Sequence, residues 1–197
     1  MRVPLASLCL FSKIITVPSV VIYARDRELD TEKNMKCLIF SDSHGSYENM
    51  KNALFMHRDA EAVFFLGDGL READLLHSEY PDKIFVSVRG NCDFYPYFNG
   101  FEAQKTETLT LSGFRITATH GDIFGVKYAL GGLLKLAQDT SSDVILFGHT
   151  HSPLCESASL KGKKVTLFNP GSIAGGSFGV IILKDKAEFL HCKITGY

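Results

Sequence analysis

The pattern of hydrophobic and polar positions divides the chain into short apolar runs separated by polar loops. Apolar residues recur at helical spacing over 46–57 and 70–77, and Ser46 is placed to cap the first of these helices. Strand and helix alternate through this half, which predicts right-handed crossovers and a largely parallel sheet. Five runs rich in Val, Ile and Phe have the length and composition of buried strands: residues 37–40, 62–66, 84–88, 114–118 and 144–147.

The second half of the chain has a different pattern. Residues 104–111 alternate, and Ser112-Gly113 turns them into 114–119, which predicts a β-hairpin. Apolar spacing predicts a helix over 126–137 that tolerates Gly131 and Gly132 for close packing. In the last part of the chain, residues 163–168, 178–183 and 187–193 are predicted to be strands. We therefore expect an α/β protein in which two sheets pack face to face with helices outside.

The first 34 residues differ from the rest. Residues 1–23 are apolar but interrupted by Lys13 and Pro18, and 24–34 are mostly charged. The longest uncharged piece of this stretch is too short for a membrane span, and the stretch makes a poor signal peptide. We predict that 35–197 is a single domain and that 1–34 is an extension, with Met35 the true or ancestral start. A transit peptide is the rival interpretation.

Charge and cysteine content narrow the class of function. With 21 basic and 22 acidic residues the formal net charge is −1, so no basic field favours a nucleic-acid duplex or an anionic membrane. The five cysteines are widely spaced and never in a Cys-x-x-Cys pair, which indicates a reducing compartment. We expect a cytoplasmic protein acting on a small substrate, and homo-oligomerisation stays open.

Polar residues that can bind a metal follow each of the five apolar runs. A single histidine or aspartate near a strand end is usually structural. Here four of the seven histidines and two carboxylates share that position, and glycine accompanies almost every one. Because ligands bind where the strands of α/β sheets end, we expect these side chains to converge. They are Asp42, His44, Asp68, Asn91, His120, His149 and His151.

The composition of this set indicates the chemistry. Seven N and O ligands without a thiolate are too many for one tetrahedral zinc and suit two divalent ions such as Mn, Fe, Co, Ni or Zn. Only two carboxylates face two dications, so the site keeps a charge of about +2 before a hydroxide binds. That charge favours an anionic substrate, and phosphate esters are the obvious candidates.

These segments resemble five ordered blocks of the calcineurin-like metallophosphoesterases, and specifically the small YfcE-type phosphodiesterases. The blocks are Asp42-Ser43-His44-Gly45, Gly67-Asp68, Gly90-Asn91-Cys92-Asp93, His120-Gly121-Asp122 and Gly148-His149-Thr150-His151, and Asn169-Pro170-Gly171-Ser172 matches a further one. The resemblance runs from Met35 to the C-terminus and implies a four-layer α/β/β/α sandwich with two mixed sheets.

The resemblance also implies a role for each residue. Asp42, His44 and His151 would hold one metal, Asn91, His120 and His149 the second, and Asp68 would bridge the two. The water between the metals, with Mn the preferred ion, would be the nucleophile that hydrolyses a small organic phosphodiester.

One position departs from the larger members of the superfamily. They carry histidine after the block's asparagine, where it can protonate the leaving alkoxide; here the residue is Cys92. A thiol is a poorer cationic donor near neutral pH, so we predict modest hydrolysis that favours good leaving groups. Alternatively Cys92 simply packs beside the site. We expect Asp93 to orient a neighbour and Asp122 to shape a turn, neither being a ligand.

Two other functions stay open on sequence grounds. A retromer subunit shares this fold and uses it as a scaffold, and a phosphomonoesterase or cyclic nucleotide phosphodiesterase would share the metals. Retention of all seven ligands favours an enzyme. Aromatic residues near the motif loops either pack or stack on a substrate ring: Phe94, Tyr95, Tyr97, Phe98, Phe124 and Tyr128.

Overall fold

The computed structural model describes residues 15–17, 20–22 and 34–194. Within them the helices are α1 (Tyr47–Met56), α2 (Leu70–Glu79) and α3 (Gly131–Thr140), with short 3-10 helices at Asp122–Phe124 and Ile173–Gly175. The strands are, in chain order, β1 (Ile15–Val17), β2 (Val20–Ile22), β3 (Met35–Phe40), β4 (Ala62–Phe65), β5 (Ile84–Ser87), β6 (Tyr97–Phe98), β7 (Phe101–Glu102), β8 (Thr106–Leu111), β9 (Phe114–Thr119), β10 (Val144–Leu146), β11 (Leu154–Leu160), β12 (Lys163–Asn169), β13 (Ser177–Leu183) and β14 (Ala187–Lys193).

The strands form two mixed sheets and a small hairpin. The first sheet has the order β1-β2-β5-β4-β3-β13-β14, and its central strands β3, β4 and β5 are parallel, as predicted from the alternation of strands and helices. The second sheet has the order β11-β12-β10-β9-β8, in which β9, β10 and β12 are parallel. The predicted hairpin is the antiparallel pair β8 and β9. Within residues 15–17, 20–22 and 34–194, strands β6 and β7 pair with each other and with no other strand.

Three apolar clusters define four layers. The sheets pack on each other through buried residues such as Ile39, Phe64 and Leu146. Helices α1 and α2 cover the outer face of the first sheet, where Met50 and Leu76 join Phe65. Helix α3 covers the outer face of the second sheet through Leu133. The α/β/β/α sandwich implied by the resemblance is therefore confirmed.

Two local predictions were wrong, and one strand was not predicted. Helix α3 begins at Gly131 and not at 126. Gly125, with a φ of +65°, ends the preceding 3-10 helix, and residues 125–129 form turns before α3 begins. A Cβ at Gly132 would lie 2.6 Å from the carbonyl oxygen of Phe124, which accounts for that glycine. Ser46 precedes α1 but makes no side-chain capping hydrogen bond. Strand β11 was missed because it is an edge strand without a buried face.

Most of the predicted extension, 1–34, lies outside the described residues. Of this segment, β2 pairs antiparallel with β5, and β1 pairs antiparallel with β2, so both strands extend the first sheet. The domain boundary at Met35 stays a prediction. Among the described helices, none combines the length and the apolar character that crossing a bilayer requires.

Candidate metal centre

The five predicted motif loops meet at one place between the sheets. The loops after β3 and β4 are joined by hydrogen bonds from Asp42 N to Gly67 O at 2.9 Å and from His44 N to Asp68 O at 3.2 Å. In the second sheet, Gly148 N donates to His120 O at 3.0 Å. The carboxyl ends of strands from both sheets therefore face a common space, as the sequence predicted.

One group of possible ligands contains Asp42, His44 and His151. One ligand atom from each lies within 4.8 Å of the others. Asp42 Oδ1 is 3.1 Å from His151 Nε2, which is 3.4 Å from His44 Nε2. Asp42 is fully buried, whereas both histidines are exposed at the mouth.

A second group contains Asp68, His120 and His149, whose ligand atoms also lie within 4.8 Å of one another. His120 Nε2 is 3.1 Å from His149 Nδ1 and 3.4 Å from Asp68 Oδ2. Asn91 adds its amide oxygen, 3.1 Å from the same Nε2. The amide nitrogen of Asn91 lies 3.2 Å from Cys92 Sγ, which leaves the oxygen directed at the group.

The two groups are neighbours. The backbone N–H of His149 donates to Asp42 Oδ2 at 3.1 Å, while the ring of His149 belongs to the second group. Asp42 Oδ2 also accepts a hydrogen bond from Ser41 Oγ at 2.5 Å. Asp42 therefore joins the two groups, because its Oδ1 faces His151 and its Oδ2 accepts the backbone hydrogen bond of His149.

The hydrogen-bond partners of the His120 ring indicate which nitrogen carries the hydrogen, and this tautomer suits a bound cation. Nδ1 lies 2.7 Å from the carbonyl oxygen of Leu66, which can only accept, so Nδ1 carries the hydrogen. In the neutral ring the lone pair of Nε2 then points at the oxygens of Asn91 and Asp68. Lone pairs that converge in this way require a proton or a metal ion between them, and a carbonyl behind the imidazole is the usual support of a metal ligand.

Asp42 gives the same indication in the first group. Its Oδ1 is buried and accepts no hydrogen bond with good geometry within the described residues. An unsatisfied carboxylate oxygen in the protein interior is costly unless a cation binds it. Since Oδ1 is the atom that faces His151, the donor set fits a divalent ion.

The backbone at the site is strained. Five of the seven predicted ligands adopt positive φ, at +55° for Asp42, +42° for His44, +60° for Asp68, +66° for His149 and +59° for His151. Such conformations are uncommon outside glycine and persist where the surrounding structure enforces them, typically at functional sites.

Two glycines of the motifs are needed for close approach. A Cβ at Gly90 would lie 2.0 Å from Asp68 Oδ1, and one at Gly148 would lie 1.8 Å from Ser41 Oγ. Neither glycine has positive φ, in contrast to Gly67 and Gly121. Space for the neighbouring carboxylates therefore explains these two positions.

Asp93 ties two ligand loops together. Its Oδ2 accepts hydrogen bonds from the N–H of Asp68 at 2.9 Å and of Gly90 at 2.7 Å, and its Oδ1 from Gly69 at 2.8 Å and Leu70 at 2.9 Å. Gly69 and Leu70 begin α2, so the carboxylate also faces the positive end of that helix.

Asp122 lies outside both groups and begins a 3-10 helix. Its Oδ2 pairs with Lys105 Nζ at 2.8 Å, and Lys105 also donates to the carbonyl oxygen of Gly90 at 3.2 Å. The other oxygen of Asp122 is buried and accepts no hydrogen bond within the described residues.

Burial and charge have opposite effects on the pKa values of Asp68 and His120, and the same effect on that of His149. Burial opposes ionisation of Asp68, but the hydrogen bond to His120 and its charge bring the pKa of Asp68 well below its usual range. Burial likewise opposes protonation of His120, yet Asp68 and Asp42 raise its pKa. Burial, then the charges of His120 and Lys127, lower the pKa of His149.

Cys92 lies at the rim of the second group. Its backbone N–H donates to Asp68 Oδ1 at 2.7 Å, and its side chain is exposed. Partial burial of the sulfur and then the hydrogen bond and charge of Asp68 raise its thiol pKa. A neutral thiol there is a weak proton donor near neutral pH.

Several supporting residues were not predicted as such. Ser172 Oγ donates to the carbonyl oxygen of Asp42 at 2.8 Å, and Asn169 Nδ2 to that of Gly148 at 2.9 Å. Both belong to the Asn-Pro-Gly-Ser block, which was the available signal. The roles of Ser41 and of the Leu66 carbonyl had no signal in the sequence.

The remaining histidines serve packing, as expected. His57 packs edge-on against Phe178, His77 is buried between Phe85 and Phe98, and His191 stacks on Phe168 at 4.7 Å. Among the motif-loop aromatics, Phe98 is buried and Phe124 half-buried in packing, whereas Phe94, Tyr95, Tyr97 and Tyr128 are exposed.

Comparison with known proteins identifies the class. Residues 35–185 match the calcineurin-like phosphoesterase superfamily domain. The chain therefore belongs to the calcineurin-like phosphoesterase superfamily, as the resemblance indicated. Membership and the two groups of ligand atoms imply a metal-dependent hydrolase of phosphoesters that uses divalent metals.

Individual relatives agree with this class. Probable metallophosphoesterase YsnB of Bacillus subtilis (strain 168) is 36% identical over 140 residues, which cover 71% of this chain and 75% of that protein. Phosphodiesterase YfcE of Escherichia coli (strain K12) is 28% identical over 163 residues, covering 71% of this chain and 80% of that protein.

Solved structures share the architecture. A predicted phosphoesterase from Streptococcus pneumoniae TIGR4 superposes with a TM-score of 0.63 at 25% identity, covering 80% of this chain and 90% of that one. Vacuolar Protein Sorting 29 from Cryptosporidium parvum has a TM-score of 0.63 at 17% identity, covering 83% of this chain and 99% of that one. The second likeness is one of fold alone.

Proposed function

We propose that this protein is a metal-dependent phosphodiesterase that hydrolyses a small organic phosphodiester at a dinuclear centre. The observation that carries the proposal is the pair of adjacent ligand groups, Asp42 with His44 and His151, and Asp68 with His120 and His149. The relative YfcE, which is named a phosphodiesterase, supports the choice of a diester.

Each residue has a defined part in this proposal. Asp42, His44 and His151 would hold one ion, Asn91, His120 and His149 would hold the other, and Asp68 would contact both. When bound, two divalent ions supply an activated water and neutralise charge on the phosphoryl group. Leu66 and Asp93 keep His120 and Asp68 in place, because they fix the ring and the backbone behind them.

The charge balance favours an anionic substrate. The two groups contain one carboxylate each, and Asn91 contributes a neutral oxygen. Two dications therefore keep a net positive charge of about +2 before a hydroxide binds. Lys127 is exposed, and its charge reaches His149. A singly charged phosphodiester suits this potential.

The experiment begins with metal-free protein reconstituted separately with Mn, Fe, Co, Ni or Zn. We expect hydrolysis of bis(p-nitrophenyl) phosphate, with Mn the preferred ion. Asp68→Ala and His149→Ala should each lower kcat/KM at least about 100-fold, since each removes a metal ligand. His57→Gln is the matched control, because this histidine packs against Phe178 outside the site.

Two results would redirect the assignment. Faster hydrolysis of p-nitrophenyl phosphate than of the diester would indicate a phosphomonoesterase. Protein that binds none of the five ions and hydrolyses neither ester would indicate a scaffold or interaction role on the same fold.

A further inference from the structure

A short aromatic segment directly follows the Asn91 loop of the proposed metal centre in the chain. Residues 94–98 read Phe-Tyr-Pro-Tyr-Phe, and three of the four rings are exposed, at 96% for Phe94, 78% for Tyr95 and 43% for Tyr97. Phe98 alone is buried, against His77 and Phe85. One ring therefore anchors the segment while the other three face solvent.

The segment is a direct continuation of a proposed ligand loop. Phe94 follows Asn91 by three residues, so their Cα atoms are at most about 11 Å apart. The intervening residues are fixed to the centre, because Cys92 N donates to Asp68 Oδ1 at 2.7 Å and Asp93 accepts the N–H of Asp68 at 2.9 Å. Phe94 N in turn donates to Cys92 O at 3.1 Å.

The far end of the segment is equally well held. Asn99 N donates to Asp74 Oδ1 at 2.7 Å, and Ala103 N donates to Pro96 O at 2.7 Å. Strands β6 and β7 pair through Tyr97 and Glu102, and Glu102 pairs with Arg89 at 3.0 Å. A backbone fixed at both ends presents its rings at little further entropic cost on binding.

Exposed aromatic rings on a fixed backbone indicate a binding surface. The rings of Tyr95 and Tyr97 lie 4.9 Å apart between centroids, so part of this surface is already a small cluster. Contiguous exposed apolar side chains mark interaction sites, and ligand sites combine hydrophobic and aromatic side chains with a few polar groups. Stacking on a flat ring would bury area that folding leaves exposed.

We propose that Phe94 and Tyr95 form a stacking surface for an ester group, so that the substrate is a phosphoester carrying a flat aromatic ring, either an aryl group or a nucleobase. This inference rests on the proposed function, since the metal centre must hold the phosphate beside the rings. A protein partner on the same surface is the alternative, and it would be favoured if the binding test showed no preference for ring-bearing phosphates.

The test measures equilibrium binding to the Mn-loaded full-length protein by calorimetry. Methyl phosphate has no ring, phenyl phosphate has an aryl ring and thymidine 5′-monophosphate has a nucleobase. Phe94→Ala/Tyr95→Ala is compared with wild type, and Phe55→Ala is the control, an exposed phenylalanine on α1. Metal content and thermal unfolding establish that each variant is intact, and Phe94→Leu/Tyr95→Leu removes stacking while keeping an apolar surface.

We expect one or both ring-bearing phosphates to bind about 5- to 100-fold more tightly than methyl phosphate, the range that a stacking aromatic usually contributes. The double variants should lose this preference without changing the Kd of methyl phosphate. The ligand with the larger gain in affinity over methyl phosphate shows whether the substrate ring is an aryl group or a nucleobase. Equal Kd values in wild type, or a preference that survives both double variants, would overturn the inference. Absence of hydrolysis of bis(p-nitrophenyl) phosphate with unchanged ring preference would instead contradict only the proposed reaction.

Discussion

The carboxylate of Asp93 accepts the backbone N–H of Asp68 at 2.9 Å, and this contact joins the two loops that carry Asp68 and Asn91. With Gly90, Gly69 and Leu70, four N–H groups converge on one side chain. We predict that Asp93→Asn lowers metal affinity about 10- to 100-fold, as removal of groups behind metal ligands typically does.

Metal titration of the purified variant checks this prediction. Asp74→Asn is the matched control, because Asp74 also accepts a backbone N–H, from Asn99 at 2.7 Å, but has no contact with a proposed ligand. An Asp93→Asn protein that binds metal as tightly as the control would contradict the role given to Asp93.

Gly90 should not tolerate a side chain. An alanine Cβ would lie 2.0 Å from Asp68 Oδ1 and 2.5 Å from Asp68 N, so the two loops must separate. We expect Gly90→Ala to reduce the free energy of unfolding by roughly 1–3 kcal/mol and to weaken metal binding. Urea denaturation measures the first effect. Gly131→Ala, at a helical glycine with open space around it, should be neutral or slightly stabilising.

The Asp68 and His120 pair makes the metal-free protein sensitive to pH. The pKa of Asp68 is lowered from 3.8, so its stabilisation is present above that value and disappears as the pH falls through the folded-state pKa. The pKa of His120 is raised from 6.5, so its stabilisation is complete below 6.5 and disappears as the pH rises through the folded-state pKa.

The contribution of this pair is therefore greatest between pH 3.8 and 6.5. The free energy of unfolding of metal-free wild type and of His120→Gln should be measured below, within and above this pH range. The difference between the two proteins should be largest within it. Metal must displace the proton of His120, so apparent affinity should rise with pH through 6.5 and level off only above the raised folded-state pKa. Affinity that is flat from pH 6 to 8 would show that His120 does not release a proton to the metal.

Cys92 offers a test of leaving-group chemistry. The raised pKa of its thiol and its exposed position at the rim leave the site without a cationic proton donor there. We expect Cys92→His to raise turnover of an alkyl phosphodiester about 10-fold and to change an aryl diester little. Cys92→Ser is the control, and an unchanged or lower rate in a fully metallated Cys92→His protein would count against this role.

The buried strands and the residues of the ligand groups could be predicted from the sequence, because apolar periodicity marks strands and polar residues mark their ends. The apolar runs identified β3, β4, β5, β9 and β10, and their ends identified every residue of the two ligand groups. Edge strand β11 was not predicted, because its side chains are mostly exposed. The start of α3 was predicted too early, because Gly125 adopts positive φ and turns the chain.

Long-range contacts explain what the sequence did not predict. The support of His120 by the Leu66 carbonyl and of Asp42 by Ser41 and Ser172 depends on loops meeting across two sheets. Positive φ at five proposed ligands also had no sequence signal, because glycine, and not Asp or His, is the usual marker of that conformation.

Anomalous diffraction from crystals of the Mn-loaded protein tests the proposed dinuclear centre most directly, because it shows how many metal ions are bound and where. We predict two peaks, one among Asp42, His44 and His151 and one among Asn91, His120 and His149, with Asp68 in contact with both. A single peak, or none, in protein that still hydrolyses bis(p-nitrophenyl) phosphate would contradict it.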